Sequence, residues 1–165
     1  YLDAPFHRHR DLDDLATLPL ASVTGLPGLV VDHDTATGIE ITLGHVAPRS
    51  FAGRAVLIRT GWDARWGTDG YWTEGPFLTS DAVDRLLGGG ATLVGVDFAN
   101  VDDLGDLSRP AHTVLLGADV PIVENLRGLG PMPSEGFTFS AVPLAIRHGA
   151  SAPVRAFAEI HGEES

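Results

Sequence analysis

Two nearly unbroken apolar runs, Ala55-Val56-Leu57-Ile58 and Ala91-Thr92-Leu93-Val94-Gly95-Val96, constrain this chain more than any other feature. They lack the alternation of a half-exposed strand and are rich in β-branched residues. That is the pattern of strands covered on both faces, and it predicts the buried centre of a sheet. Between them, Thr79 or Ser80 can cap a helix whose Asp81 and Asp84 favour its amino end. Ala82, Val83, Leu86 and Leu87 form its apolar stripe, and Gly88 ends it. A second short helix is predicted from about Pro110 to Leu116, with proline in its first turn and Gly117 past its end.

Leu29 to Val31 and Ile39 to Leu43 are apolar runs separated by the turn-rich segment Asp32 to Gly38, which predicts a hairpin with a long loop. Val120 to Val123 returns as a strand. The alternations Phe137, Phe139, Ala141 and then Val154, Ala156, Ala158, Ile160 predict two more. The fold class is α/β, mixed and strand-rich, outside the regular β-α-β-α rhythm. The 165 residues suit one domain, and 20 glycines and 11 prolines are dispersed with neither a linker nor a repeat.

The charge pattern excludes several functions. There are 22 acidic against 11 basic side chains, a net charge of −11, and every basic residue is arginine. Without lysine, Schiff-base catalysis and a P-loop are excluded. Without a basic patch, neither nucleic acid nor an anionic membrane surface is an expected partner. Cysteine is absent, so any metal must be held by His, Asp and Glu. No apolar run is long enough to span a bilayer, and Tyr1 to Pro5 has no signal-peptide character. The expected setting is cytoplasmic.

The densest polar constellation is Asp3-Ala4-Pro5-Phe6-His7-Arg8-His9. Pro5 biases Ala4 toward extended geometry, so a loop, not a helix face, must bring Asp3 and His7 together. His112 lies in the second predicted helix and Glu124 ends the strand Val120-Pro121-Ile122-Val123 that follows it. The two either face one cleft or are ordinary surface charges. Trp62 and Phe98, with Trp66 or Trp72, are candidates for the apolar walls of an aromatic-binding pocket or for plain core. Asp97, at a strand end, either faces a cleft or caps the Asn100 turn. Asp102 to Asp106 is acidic, but its glycine is misplaced for an EF-hand and no glutamate closes the loop. Gly88-Gly89-Gly90 follows a helix and is a turn, while His33, His45, His148 and His161 fit exposed positions.

Tyr1-Leu2-Asp3-Ala4-Pro5-Phe6-His7 resembles the tail of the H-x-G-T-H-x-D-x-P-x-H signature of the cyclase family, which includes bacterial kynurenine formamidase and isatin hydrolase. Val56-Leu57-Ile58-Arg59-Thr60-Gly61-Trp62, Leu93-Val94-Gly95-Val96-Asp97, Ala111-His112-Thr113-Val114-Leu115-Leu116, Ile122-Val123-Glu124-Asn125-Leu126 and Gly136 to Leu144 agree in order. The resemblance implies a swivelling β/β/α fold, assembly as a homodimer or larger, and a small-molecule substrate. The implied reaction is metal-dependent hydrolysis of a C–N amide bond. An aryl formamide of the N-formylkynurenine type, giving formate and an arylamine, comes first, and cyclic amides such as isatin come second.

By the same resemblance, Asp3, His112 and Glu124 are ligands of a divalent metal, zinc first and manganese second, and His7 is the proton shuttle. The family's second signature histidine falls on Tyr1, and its first would lie four residues upstream. A phenol with a pKa of about 10 is a poorer ligand at neutral pH than an imidazole near 6.5. One metal position is therefore expected to be weakened or absent, and the alternative is a non-catalytic binding or structural relative. His9 is either a replacement ligand or a solvated loop residue. The whole is read as a single cyclase-like domain over residues 1–165 that lacks its amino-terminal segment.

Overall fold

The computed structural model describes residues 1–161. In chain order the elements are β1 (Leu2–Asp3), β2 (Leu26–Asp32), β3 (Glu40–Ile41), β4 (Ala55–Arg59), β5 (Phe77–Leu78), α1 (Ser80–Gly88), β6 (Leu93–Val96), α2 (Pro110–Gly117), β7 (Ile122–Val123), β8 (Phe137–Ser140), β9 (Ser151–Ala152) and β10 (Phe157–Ile160). Eight strands form one sheet in the order β10-β8-β2-β4-β6-β7-β1-β9, and β3 pairs with β5 separately. The middle run from β2 to β7 is parallel, and both flanks are antiparallel. This is the mixed, strand-rich α/β class.

The two apolar runs occupy neighbouring central strands, β4 and β6. Alternate residues enter different cores: Val56, Ile58, Val94 and Val96 pack on the α1 and α2 side. Ala55, Leu57 and Leu93 pack on the other side with Leu2, Leu126, Phe137 and Phe139. An unbroken apolar run is what a strand between two such layers needs. Thr79 caps α1 by accepting from the Ala82 amide at 3.2 Å, and its hydroxyl donates to the Ile41 carbonyl at 3.0 Å. The cap thus ties the helix to β3.

The expected hairpin between Leu29–Val31 and Ile39–Leu43 does not form. β2 takes β4 in parallel and β8 in antiparallel pairing, while β3 pairs in parallel with β5. Asp34 caps a short 3-10 turn, Thr35–Thr37, between them. Pairing seven-residue β2 with two-residue β3 would leave most of a buried backbone ladder unsatisfied, and β4 satisfies it instead.

Gly28 lies directly under Phe137, where an added Cβ would fall 1.9 Å from the ring's Cε2 atom. A rigid ring at this distance must be displaced. Gly28→Ala is therefore expected to destabilise the fold by roughly 1–3 kcal/mol, the usual range for overpacking, as read by denaturant unfolding.

At the end of β4, Arg59 grips Asp32 with two hydrogen bonds of 2.6 and 2.9 Å and donates to the carbonyls of Leu129 and Met132 at 2.9 and 2.8 Å. Arg59 holds the Asp32 carboxyl below its usual pKa. A depressed carboxylate stabilises the fold above its unfolded pKa and loses that contribution as pH falls through the folded one. Asp32→Asn should thus cost under about 1 kcal/mol at pH 7, because the pair is solvated. The difference in Tm from the wild type should shrink as pH falls through the lowered folded pKa of Asp32, and Tm followed from neutral into acid pH tests it.

Candidate metal centre

β1 is inserted antiparallel between β7 and β9, with Leu2 opposite Val123 and Asp3 opposite Ile122. The Glu124 amide donates to the Tyr1 carbonyl at 3.0 Å and the Tyr1 nitrogen to the Glu124 carbonyl at 3.1 Å. Leu2 and Val123 enter the core away from the helices. Strand alternation then turns Asp3 and Glu124 toward α2. His112, in the first turn of α2, meets them: its Nε2 lies 3.4 Å from Asp3 Oδ2 and 3.4 Å from Glu124 Oε1. One potential ligand atom from each of the three lies within 4.8 Å of the others. All three residues are buried.

His112 is oriented by Asp102, whose Oδ2 is 2.6 Å from His112 Nδ1. A carboxylate only accepts, so Nδ1 carries a proton toward Asp102, and Nε2 is the ring atom aimed at Asp3 and Glu124, where it would offer its lone pair once a cation takes the place of its own proton. The same carboxylate accepts from the backbone amides of Ala111 at 2.5 Å and His112 at 3.2 Å. Asp102 therefore caps α2 and aims its histidine at once. Glu124 is fixed by the Val101 amide, which donates to Oε1 at 2.8 Å.

The cluster demands positive charge. Burial opposes protonation of His112, but its hydrogen bonds to Asp102 and Asp3 and the charge of Glu124 raise its pKa to about 9. Burial, with the charge of Asp3 adding to it, pushes Glu124 up to about 7. For Asp3, burial is outweighed by hydrogen bonds from His112 and Ser151, and its pKa is lowered. Three carboxylates packed around one imidazole out of water need a cation or a proton among them. The donor set of one nitrogen and two carboxylates, with an outer carboxylate on the free ring nitrogen, fits a divalent ion. Asp102→Asn is expected to weaken metal affinity by 10–100-fold, the usual effect of losing an outer-shell partner, measured by competition with a chelator.

His7 ends the 3-10 turn Pro5–His7 beside this cluster, its ring centroid 5.7 Å from that of His112. Arg8 locks the turn to α2 by donating from Nε to Thr113 Oγ1 at 3.0 Å and from its terminal nitrogen to the Ser108 carbonyl at 2.8 Å. Partial burial, opposed by the Asp3 charge, lowers the pKa of His7, so its imidazole is neutral at pH 7. A cavity of about 250 Å³ joins the set, its remaining wall made by Tyr1, Asn100, Arg109 and Ser151.

Asp3, His7, His112 and Glu124 are thus brought together, whereas Trp62 and Phe98 are not. Both sit in the core on the helix side, at 5% and 0% exposure, and neither lines the cavity. Trp62 drops into the core through the Trp62–Arg65 turn and donates from Nε1 to the Tyr71 carbonyl, and Phe98 follows β6 into the same layer. The exposed Trp66 and Trp72 pack against Tyr71, whose hydroxyl donates to Asn125 Oδ1 at 2.8 Å.

His9 is engaged elsewhere, its Nε2 2.9 Å from the Thr113 carbonyl. Asp97 caps the turn after β4, accepting from the amides of Thr60 and Gly61. Sequence reasoning missed Asp102, Asn100, Arg109 and Ser151. Asp102 was concealed in an acidic stretch, and the available signal was a carboxylate shortly before a helix start that offered no capping side chain.

A strand-rich α/β fold that gathers a buried His–Asp–Glu cluster and a second histidine on one cavity defines a metal-dependent hydrolase. The family model named Putative cyclase matches residues 1–103. The kynurenine formamidase of Maricaulis maris is 32% identical over 162 residues, covering 94% of this chain and 73% of the relative. The isatin hydrolase of Roseibium aggregatum is 31% identical over 144 residues, covering 80% and 53%. Isatin hydrolase A from Ralstonia solanacearum superposes with a TM-score of 0.85 at 26% identity, over 97% of this chain and 70% of that one. A solved structure described as a potential metal-dependent hydrolase with cyclase activity gives 0.73 at 26% identity, over 94% and 74%. The chain belongs to the cyclase family. Among the described residues no helix is long and apolar enough to cross a membrane.

Proposed function

We propose that this chain hydrolyses a C–N amide bond, foremost that of an aryl formamide of the N-formylkynurenine type, with a divalent cation held by Asp3, His112 and Glu124. The observation that supports this most is the convergence of these three buried donors and His7 on one cavity. A bound divalent ion supplies acidification of water and polarisation of the amide carbonyl at neutral pH. Zinc is the first candidate for such a mixed nitrogen and oxygen set and manganese the second. Tyr1 stands on the cavity wall where the family signature has histidine, so we infer a single cation.

The chain's own residues then divide the work. Asp102 fixes the tautomer and angle of His112, the β1 ladder fixes Asp3, and the Val101 amide fixes Glu124. Neutral His7 accepts a proton from water as the C–O bond forms. It returns that proton to the nitrogen as the C–N bond breaks, releasing formate and an arylamine. The exposed Val142, Leu144 and Ile146, with Phe157 and Ile160 on edge strand β10, support assembly as a homodimer or larger. The proposed setting is cytoplasmic.

Metal content of the purified protein, followed by formamide hydrolysis with and without chelator, tests the reading. Chelation should abolish turnover, and added zinc or manganese should restore it. A protein inert after both metals are supplied is a binding or structural relative instead. The overlay on isatin hydrolase favours a second substrate class, cyclic amides, and isatin ring opening assayed in parallel decides which is preferred.

A further inference from the structure

We propose that Arg109 is a specificity-determining residue that binds a carboxylate on the substrate, so that the preferred amide carries a carboxylate group. The proposal rests on reading this cavity as the amide-hydrolysing site. Arg109 is the one arginine on a wall that otherwise carries Asp3 and Glu124, with Asp102 behind, in a chain of net charge −11. An anionic substrate would be repelled from such a cavity without a fixed cation on its wall.

The guanidinium is held in place without being consumed. One terminal nitrogen donates to Asn100 Oδ1 at 3.3 Å and to the Asp103 carbonyl at 3.1 Å. Among the described residues the other terminal nitrogen and Nε have no hydrogen-bond partner, and Arg109 forms no ion pair. A planar fork with two donors spare suits a carboxylate better than a point charge does.

The backbone supplies an independent argument. Arg109 is the residue before α2, where Ser, Thr, Asp or Asn would ordinarily cap the helix. It caps nothing, because Asp102 takes the Ala111 and His112 amides. It also sits at φ 54, ψ 59, in the left-handed region that asparagine and glycine occupy more readily. A long cation in a strained position, which leaves the helix cap to Asp102 and keeps Nε and one terminal nitrogen spare on the wall of a reactive cavity, is the pattern expected of a residue kept for binding.

The alternative is that Arg109 merely clamps the Asn100–Asp103 loop. The metal-loaded protein should be assayed with formanilide, which is neutral, and with its ortho-carboxylate analogue, N-formylanthranilate. The wild type should favour the charged substrate, and Arg109→Asn should lower the charged-to-neutral ratio of kcat/KM at least tenfold, through KM. Arg109→Lys should restore part of the ratio. Because asparagine suits the left-handed backbone, Tm of Arg109→Asn should hold or rise.

An unchanged ratio overturns the proposal. So does an equal loss on both substrates with a fall in Tm, which is the signature of a loop clamp. If the wild type hydrolyses neither compound, the aryl-formamide reading has failed, and calorimetry with benzoate and benzamide still decides the role of Arg109. Benzoate should then bind the wild type at least tenfold more tightly than it binds Arg109→Asn, with benzamide binding indifferent to the change. Equal benzoate affinity sinks the assignment.

Discussion

His112→Ala is expected to lose the divalent cation, with affinity falling more than about a hundredfold, since even outer-shell partners contribute 10–100-fold. The imidazole is the sole nitrogen donor of the three-residue set, and it stands between two buried carboxylates. Removing it leaves Asp3 and Glu124 facing each other without the group that separates their charges. Breaking a buried pair in this way costs about 3–5 kcal/mol when the remaining charges cannot neutralise. Here Glu124, already pushed up to about 7 by burial, takes a proton and limits the loss. Asp102 keeps its two backbone amide donors, so the cap on α2 survives.

Two measurements check this: metal retained per chain after dialysis, and Tm with and without chelator. The wild type should lose Tm on chelation, because a ligand that binds only the folded state stabilises it by mass action. The variant should be insensitive. A variant that keeps one equivalent of metal and the wild-type chelator response removes His112 from the ligand set.

The parts of this molecule that were legible in the sequence are those governed by local rules. The double-sided burial of Ala55–Ile58 and Leu93–Val96 followed from unbroken apolar runs, α1 from its cap and apolar stripe, and α2 from a proline in its first turn with a glycine at its end. Asp3, His7, His112 and Glu124 were singled out by residue type and by a family pattern, and the β1–β7 ladder explains why residues so distant in sequence share one cavity. What failed was partner choice. Nothing local tells β2 to reject its sequence neighbour for β4, because the decision lies in how much backbone each pairing satisfies.

The same limit hid Asp102 and Arg109. An acidic stretch reads as a solvated face until the fold turns one carboxylate inward beneath a helix start, leaving Asp103 and Asp106 exposed. Trp62 and Phe98 fail for the converse reason: aromatic character marks a residue for burial, and only topology decides whether the buried place is a core or a pocket.

His7→Gln is expected to lower kcat by about 10²–10⁴, the range for losing a positioned proton-transfer group, while metal content stays at the wild-type level. His7 stands on its own turn, held to α2 through Arg8 and outside the three-residue cluster. Its loss therefore leaves the ligands as they are. The leaving group sharpens the test. An anilide nitrogen departs poorly unless it is protonated as the C–N bond breaks, whereas a nitro-substituted aniline is weakly basic and departs with less help. The penalty should accordingly be largest for formanilide and shrink for nitroformanilide. An equal penalty on both would confine His7 to activating water, and undiminished turnover on both would remove it from the reaction.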